Sequence, residues 1–231
     1  MPGFDHSIIV FCNQFAQRWH TFDSIIVFFS NSDLMKGGVM VAGLWWTWFR
    51  PSSNSRLNRS YLLNALLGAV VALFIARILA HALPLRIRPI LDPSLHFRVP
   101  FGAPDQSNWT IWSSFPSDHA ALFFALLTGI WLACRTAGIV LLFYVLIAIS
   151  FPRIYIGIHY PTDVLAGAAL GAGSVLLISW GKIRNLWSGR VLNWIEHWPA
   201  PGYALLFLVT FEIGTLFWDV RTFLFIFDIS V

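Results

Sequence analysis

The sequence predicts an all-α membrane protein, built as a bundle of six transmembrane helices. Of its 231 residues, 57% are hydrophobic and only 11% are charged, and the mean hydropathy is +0.68. Soluble domains carry about a quarter charged residues, so this composition favours a chain that is embedded in a bilayer. The apolar residues also fall into separate runs divided by short polar stretches, which is typical of a protein with several membrane spans.

The N-terminal segment, residues 1–33, mixes Ile, Val and Phe with charged residues: Asp5, Arg18, Asp23 and Asp33. We interpret it as an amphipathic helix that lies at the membrane interface. The alternative is an incomplete first span, because the charges interrupt the roughly 20 apolar residues that a crossing needs. We expect no cleavable signal peptide, since the start lacks a basic region before its apolar stretch.

Six apolar runs are predicted to cross the membrane, and they cover residues 35–49, 61–83, 116–134, 137–151, 161–180 and 203–218. They define a predicted transmembrane domain over residues 34–218, followed by an apolar C-terminal tail over 219–231. The fifth run is rich in Gly and Ala, which allows neighbouring helices to approach closely.

The second run carries Arg77 and His81, four residues apart and therefore on one helical face. Charged groups at membrane depth are costly and normally point into the bundle. The loop that follows, residues 84–115, contains five prolines. A loop of this length in a compact membrane protein is typical of a functional segment.

The orientation follows from the loops. Six spans place the loop 84–115 and the turn 152–160 on the same side of the membrane as both termini. The opposite side has Glu196 as its only acid, beside seven basic residues: Arg50, Arg56, Arg59, Arg135, Lys182, Arg184 and Arg190. Basic short loops favour the cytoplasm. We therefore expect a bacterial inner-membrane protein with its 84–115 and 152–160 segments facing the periplasm or the exterior.

Composition also bears on partners and cofactors. The net charge of +4 is modest, and the basic residues are scattered between apolar runs, so nucleic-acid binding is not expected. Cys12 and Cys134 are predicted at opposite membrane faces, which argues against a disulfide. Neither has a companion Cys or His at metal-ligand spacing, and we expect no metal or other cofactor.

Three short segments at the ends of apolar runs carry most of the chemistry: Arg88-Pro89, Pro116-Ser117-Asp118-His119, and Arg153 with His159 and Asp163. Proline is typical of the first turn of a helix, where backbone N–H groups lack partners. Those N–H groups, together with the Ser117 hydroxyl, would form an anion site. The alternative is that Ser117 and Asp118 only cap the helix.

His159 and Asp163 lie four residues apart, with Pro161 marking a helix start between them, so both are predicted to face the same way. The carboxylate could accept the imidazole N–H and leave the other ring nitrogen free to attack phosphorus. The alternative is an inert interfacial ion pair, which is a common arrangement.

The remaining groups suit a phosphoryl transfer. Arg88 and Arg153 supply planar guanidinium groups that match phosphate oxygens, and phosphoryl transfer depends mostly on positioning and charge stabilisation. His119 is then available as a general acid for the leaving group.

Together, these segments resemble the signature of the type 2 phosphatidic acid phosphatase (PAP2) superfamily of integral-membrane lipid phosphatases. The family pattern is Lys-x6-Arg-Pro, then Pro-Ser-Gly-His, then Ser-Arg-x5-His-x3-Asp, and the resemblance covers roughly residues 60–180. It implies a bundle of the PAP2 type and a phosphohistidine intermediate on His159, oriented by Asp163. It also implies His119 as the proton donor and no metal, with phosphate ligands at Arg88, Ser117 and Arg153.

The chain departs from the family pattern at three positions. His81 stands where the family has lysine, and Arg86 or Arg77 is a candidate to replace that charge. Pro152 stands for the serine before Arg153. Asp118 stands for the glycine of the second motif, and we include it among the phosphate-binding candidates with His81 and Arg86. This Pro-Ser-Asp-His variant is similar to the branch that acts as undecaprenyl-diphosphate phosphatases.

The resemblance therefore implies a hydrolase whose partner is a lipid-linked phosphate or diphosphate, with undecaprenyl diphosphate favoured. Dephosphorylation of phosphatidate or phosphatidylglycerophosphate, and phosphoryl transfer to a lipid acceptor, are the enzymatic alternatives. The non-enzymatic alternatives are a transporter and an inactive lipid-binding relative. No pair of broken helices in matching halves is visible, which argues against a transporter. The sequence gives no indication of the oligomeric state.

Overall fold

The computed structural model describes residues 3–103, 113–181 and 183–226. Within these ranges the regular structure is entirely helical, so the all-α prediction is confirmed there. The middle of the predicted loop 84–115 and the end of the predicted tail 219–231 lie outside the described residues.

Eleven α-helices make up the described part of the chain: α1 (Gly3–Asn13), α2 (His20–Asn31), α3 (Val39–Phe49), α4 (Ser55–Ala82), α5 (Asp118–Ala133), α6 (Arg135–Tyr144), α7 (Phe151–Tyr155), α8 (Pro161–Ile178), α9 (Asn185–His197), α10 (Pro199–Gly214) and α11 (Trp218–Ile226). Two π-helical turns connect some of them, Leu34–Gly38 before α3 and Val145–Ser150 between α6 and α7. The loop after α4 contains two short 3-10 turns, Pro89–Leu91 and Pro93–Leu95.

Three continuous helices in the described ranges are long and apolar enough to cross a membrane: Ser55–Ala82, Arg135–Tyr155 and Pro161–Ile178. The pair His20–Asn31 and Leu34–Phe49 would add a fourth span, bent by 69° at its break. Helices α5 and α10 are apolar but have only 16 residues each. By length and composition the structure thus supports three or four spans, where the sequence predicts six, because a crossing needs about 20 residues.

The N-terminal segment forms two helices, α1 and α2, rather than the single helix predicted over residues 1–33. Helix α1 packs against α7 and α8, and α2 packs against α7. Asp5 of α1 and Asp23 of α2 are completely buried. Each carboxylate accepts hydrogen bonds from other parts of the bundle, which offset the cost of its burial. The interfacial location of this segment stays a prediction.

The centre of the bundle is formed by α4, α5 and α8, which pack closely on one another. At Gly167 and Gly171 of α8, an added Cβ would lie 2.3 Å from the Ser117 carbonyl oxygen and 2.2 Å from that of Ala121. Only glycine permits such a close approach, as the Gly/Ala-rich composition of this run predicts. The contact brings the N-terminal ends of α5 and α8 together, and both ends carry motif residues.

Candidate active site

The three predicted segments meet in one cluster. The Ser117 N–H donates to the Asp163 carbonyl oxygen at 3.0 Å, which joins the second segment to the third. Arg88 Nη1 donates to the Ile158 carbonyl oxygen, also at 3.0 Å, which joins the first segment to the third. One main-chain hydrogen bond and one from a side chain to the main chain thus join the three segments to one another.

His159 lies in the turn between α7 and α8 and is only 4% exposed. The turn depends on Gly157, which has φ +81°, a conformation that suits glycine. The Nδ1 atom of His159 is 2.8 Å from the carbonyl oxygen of Ser114. A carbonyl can only accept, so Nδ1 carries the proton of the neutral ring and Nε2 keeps a lone pair. His159 is therefore in the tautomer that a nucleophile needs at Nε2.

Asp163 is fully buried beside His159, but its nearest oxygen is 3.8 Å from Nδ1, beyond hydrogen-bond distance. Oδ1 accepts from Arg86 at 2.5 Å, and Oδ2 accepts the Tyr160 N–H at 2.7 Å. The hydrogen bond predicted between His159 and Asp163 is thus replaced by one to Ser114, because the carboxylate caps α8. Asp163 supplies a negative charge next to the ring instead.

His119 is held on both sides of its ring. Nδ1 is 2.8 Å from Asp118 Oδ1, and Nε2 is 2.5 Å from Arg153 Nη2. A guanidinium group has no acceptor, so Nε2 accepts from Arg153 and Nδ1 donates to Asp118. In this arrangement Nε2 holds no proton, and His119 must gain one there before it can act as a general acid.

Asp118 is paired with a cation, Arg77. Its Oδ2 forms an ion pair with Arg77 of α4 at 3.0 Å, and its Oδ1 also accepts the His119 backbone N–H at 2.7 Å. This geometry differs from the predicted phosphate-binding role, because a carboxylate repels phosphate but orients an imidazole well. Asp118 is therefore held by Arg77 through one oxygen and keeps the proton of His119 on Nδ1 through the other.

Two further phosphate-binding candidates have other contacts. His81 is exposed, and its Nδ1 lies 2.9 Å from the carbonyl oxygen of Arg77 in the same helix. The Arg86 guanidinium forms ion pairs with two carboxylates, Asp5 at 2.6 Å and Asp163 at 2.5 Å. Arg86 is therefore engaged with buried acids.

The remaining phosphate-binding candidates line the cluster. Arg88 is half-buried; burial lowers the pKa of its guanidinium, and a group of this kind remains charged. Arg153 is buried, and its Nε has no hydrogen-bond partner among the described residues. Ser117 is buried and accepts the Ala120 N–H at 3.4 Å, so it caps α5 while its own O–H can still donate.

Sequence reasoning missed three participants. The Ser114 carbonyl carried no signal, since every residue has one. Asp5 and Lys36 did carry a signal, because an isolated charge in an apolar run is expensive unless it has a partner. Lys36 is buried in the π-helical turn Leu34–Gly38, pairs with Asp33 at 3.1 Å, and interacts electrostatically with Arg153.

Comparisons with known proteins show which family the chain resembles. The model of the PAP2 superfamily matches residues 60–187. BcrC of Bacillus licheniformis, named a bacitracin transport permease protein, is 30% identical over 178 residues, which cover 74% of this chain and 76% of BcrC. YbjG of Escherichia coli (strain K12), provisionally named an undecaprenyl-diphosphatase, is 24% identical over 180 residues, 78% of this chain and 83% of YbjG. No solved structure matches the chain significantly.

Proposed function

Because this chain belongs to the PAP2 superfamily, we propose that it is an integral-membrane lipid phosphatase that works through a phosphohistidine on His159. The observation that carries the proposal is the hydrogen bond from His159 Nδ1 to the Ser114 carbonyl, which leaves a lone pair on Nε2. In this proposal, the guanidinium groups of Arg88 and Arg153 bind the phosphate of the substrate.

The first step forms an N–P bond. The Nε2 lone pair of His159 attacks the terminal phosphorus of the substrate, and the P–O bond to the leaving group breaks. Arg88, Arg153 and the Ser117 O–H stabilise the negative charge that spreads over the phosphoryl oxygens. With a lipid diphosphate, the leaving group is the lipid monophosphate.

The second step returns the enzyme to its starting state. Water attacks phosphorus, the N–P bond breaks, and inorganic phosphate leaves. His119 serves as the acid in the first step and as the base in the second. A phosphate that engages Arg153 would draw its guanidinium from His119 Nε2, and this nitrogen could then take up the proton that it must deliver.

The substrate we favour is undecaprenyl diphosphate, which would be converted to undecaprenyl phosphate. The name of YbjG and the Pro-Ser-Asp-His segment support this choice. Phosphatidate, phosphatidylglycerophosphate and transfer to a lipid acceptor remain the competing reactions, since all present a phosphoryl group at the membrane. The name of BcrC adds transport as a second candidate function.

We further propose six crossings: the bent pair, α4, α5, the run Arg135–Tyr155, α8 and α10. A 16-residue helix is about 24 Å long, shorter than the roughly 30 Å hydrocarbon core. Such a helix can reach headgroup depth at one end only, and we place the N-terminus of α5 there, where a lipid phosphate resides. The basic loops of the opposite side support a site that faces the periplasm or the exterior of a bacterial inner membrane.

The test is phosphate release by the purified protein in detergent, measured with undecaprenyl diphosphate, phosphatidate and phosphatidylglycerophosphate. We expect turnover of a lipid phosphate that is insensitive to chelators, and no turnover by the His159→Ala variant. Chelator-sensitive turnover would contradict the metal-independent mechanism. Substrate uptake into vesicles without hydrolysis would favour transport instead.

A further inference from the structure

A second fully buried acid lies behind the nucleophile. Asp5 of α1 is 0% exposed, although it stands in the N-terminal segment. Its Oδ1 accepts the Thr162 backbone N–H at 3.0 Å, and its Oδ2 accepts the Thr162 hydroxyl at 2.6 Å. Helix α1 thus provides a capping carboxylate for α8, the helix that begins two residues after His159.

Arg86 joins this acid to Asp163. One guanidinium nitrogen donates to Asp5 Oδ2 at 2.6 Å, and the other donates to Asp163 Oδ1 at 2.5 Å and to the Thr162 hydroxyl at 2.9 Å. The guanidinium carbon also lies 4.3 Å from the centre of the Tyr160 ring, a cation–π contact. The three charged groups are therefore fixed in a closed network.

We propose that Asp5 and Arg86 are positioning residues for His159, which hold Asp163 in place and set the charge beside the ring. The inference rests on the proposed phosphohistidine mechanism. Two carboxylates share one guanidinium, so the network carries a net negative charge in a buried site. When Nε2 bonds to phosphorus, the ring becomes positive, and a fixed negative charge beside it stabilises that state.

Other charged groups lie near His159, and all of them stay in place in the variants below. Asp163 of α8 is 3.8 Å from Nδ1, and Asp118 of α5 interacts electrostatically with the ring. Arg88 donates to the carbonyl of the neighbouring Ile158, and Arg153 contacts His119. Substitution of Asp5 or Arg86 therefore changes one of several charges that act on His159, while the others stay the same. Their effects on the protonation of His159 must have opposite signs, because Asp5 is negatively charged and Arg86 is positively charged.

The sign is fixed by the mechanism. His159 must be neutral to attack, so the acid side of the profile of kcat/KM against pH reports its protonation. Loss of a nearby negative charge favours the neutral ring and moves this limb to lower pH. Loss of a nearby positive charge favours the protonated ring and moves the limb to higher pH.

The experiment compares Asp5→Asn and Arg86→Gln with the unmodified protein, in detergent and with the best lipid phosphate substrate. We expect opposite shifts of the acid limb by roughly half a pH unit, and kcat lower by about tenfold with little change in KM. Arg86→Lys, which keeps the charge but loses the fork, should restore the position of the limb without restoring kcat.

Asp23→Asn is the matched control, since Asp23 is an equally buried acid of the N-terminal pair whose acceptor contacts are to Gln17, Phe101 and Tyr155. It should lower thermal stability and leave the acid limb unchanged. Shifts in the same direction for Asp5→Asn and Arg86→Gln, or no shift in either, would overturn the inference. If the unmodified protein releases no phosphate, the proposed function fails before this comparison begins.

Discussion

Arg153 Nη2 lies 2.5 Å from His119 Nε2, so the guanidinium proposed to bind phosphate donates to the ring proposed to protonate the leaving group. A phosphate and an imidazole thus compete for the same donor. Without substrate, Arg153 occupies Nε2 of His119 and keeps the ring neutral. With phosphate bound, Arg153 would leave Nε2, and the ring could take up a proton there. This relationship makes substrate binding and proton transfer interdependent, and it leads to the first prediction.

Replacement of Arg153 by lysine should lower kcat/KM by about 10²-fold or more, although the positive charge is kept. Lysine cannot present two parallel N–H groups to a phosphate, and it would no longer hold His119 Nε2 from the same position. Steady-state kinetics would measure the loss. Activity within a factor of a few of the original would show that the fork is not needed.

His159→Gln should abolish turnover, with a loss above about 10³-fold, since glutamine is close in size to histidine but has no nucleophilic nitrogen. Substrate labelled in the terminal phosphate should transfer acid-labile, alkali-stable label to the unmodified protein. The variant should remain unlabelled. Label that persists in His159→Gln would place the phosphoryl group on another residue.

Asp118 offers a test of tautomer control. Asp118→Ala removes the acceptor for His119 Nδ1–H and leaves Arg77 without this ion pair, so kcat should fall by about tenfold or more. Asp118→Asn keeps an acceptor oxygen and should retain more activity. The comparison is made on kcat at saturating substrate. Equal losses in both variants would indicate that charge, rather than the hydrogen bond, is what His119 requires.

The close contact of α5 and α8 predicts a stability difference between two glycines of one helix. In Gly171→Ala the new Cβ would lie 2.2 Å from the Ala121 carbonyl, and the strain should destabilise the fold by about 1–3 kcal/mol. Gly173→Ala is the control, since nothing lies within 4 Å of its added Cβ. Thermal unfolding in detergent measures both. A larger loss in the control would contradict the packing.

The cluster was predictable because its segments are short and each has a local signature. Pro161 opens α8 as predicted, whereas Pro116 lies just before Ser117, the residue that caps α5. The spacing of His159 and Asp163 is that of one helical turn. Which atoms contact each other was not predictable. Asp5 pairs with Arg86, 81 residues away, and that contact depends on how α1 packs against α8.

The span count illustrates the same limit for the fold. Apolar runs predict where helices form, and α4 and α8 follow their runs well. Helix length is set by caps and breaks that hydropathy does not record. Ser117 caps α5, which then ends at Ala133 after 16 residues, and the first predicted span forms the bent pair with α2.

The proton on His159 is directed by the main-chain carbonyl of Ser114, a group that no side-chain exchange can delete. Ser114→Ala should therefore leave catalysis nearly intact, although the position borders the nucleophile. The tautomer of His159 then depends on the backbone path of the loop that holds residue 114, and not on which amino acid stands there. Relatives could differ freely at this position and still share the chemistry, and a search for invariant side chains would overlook it.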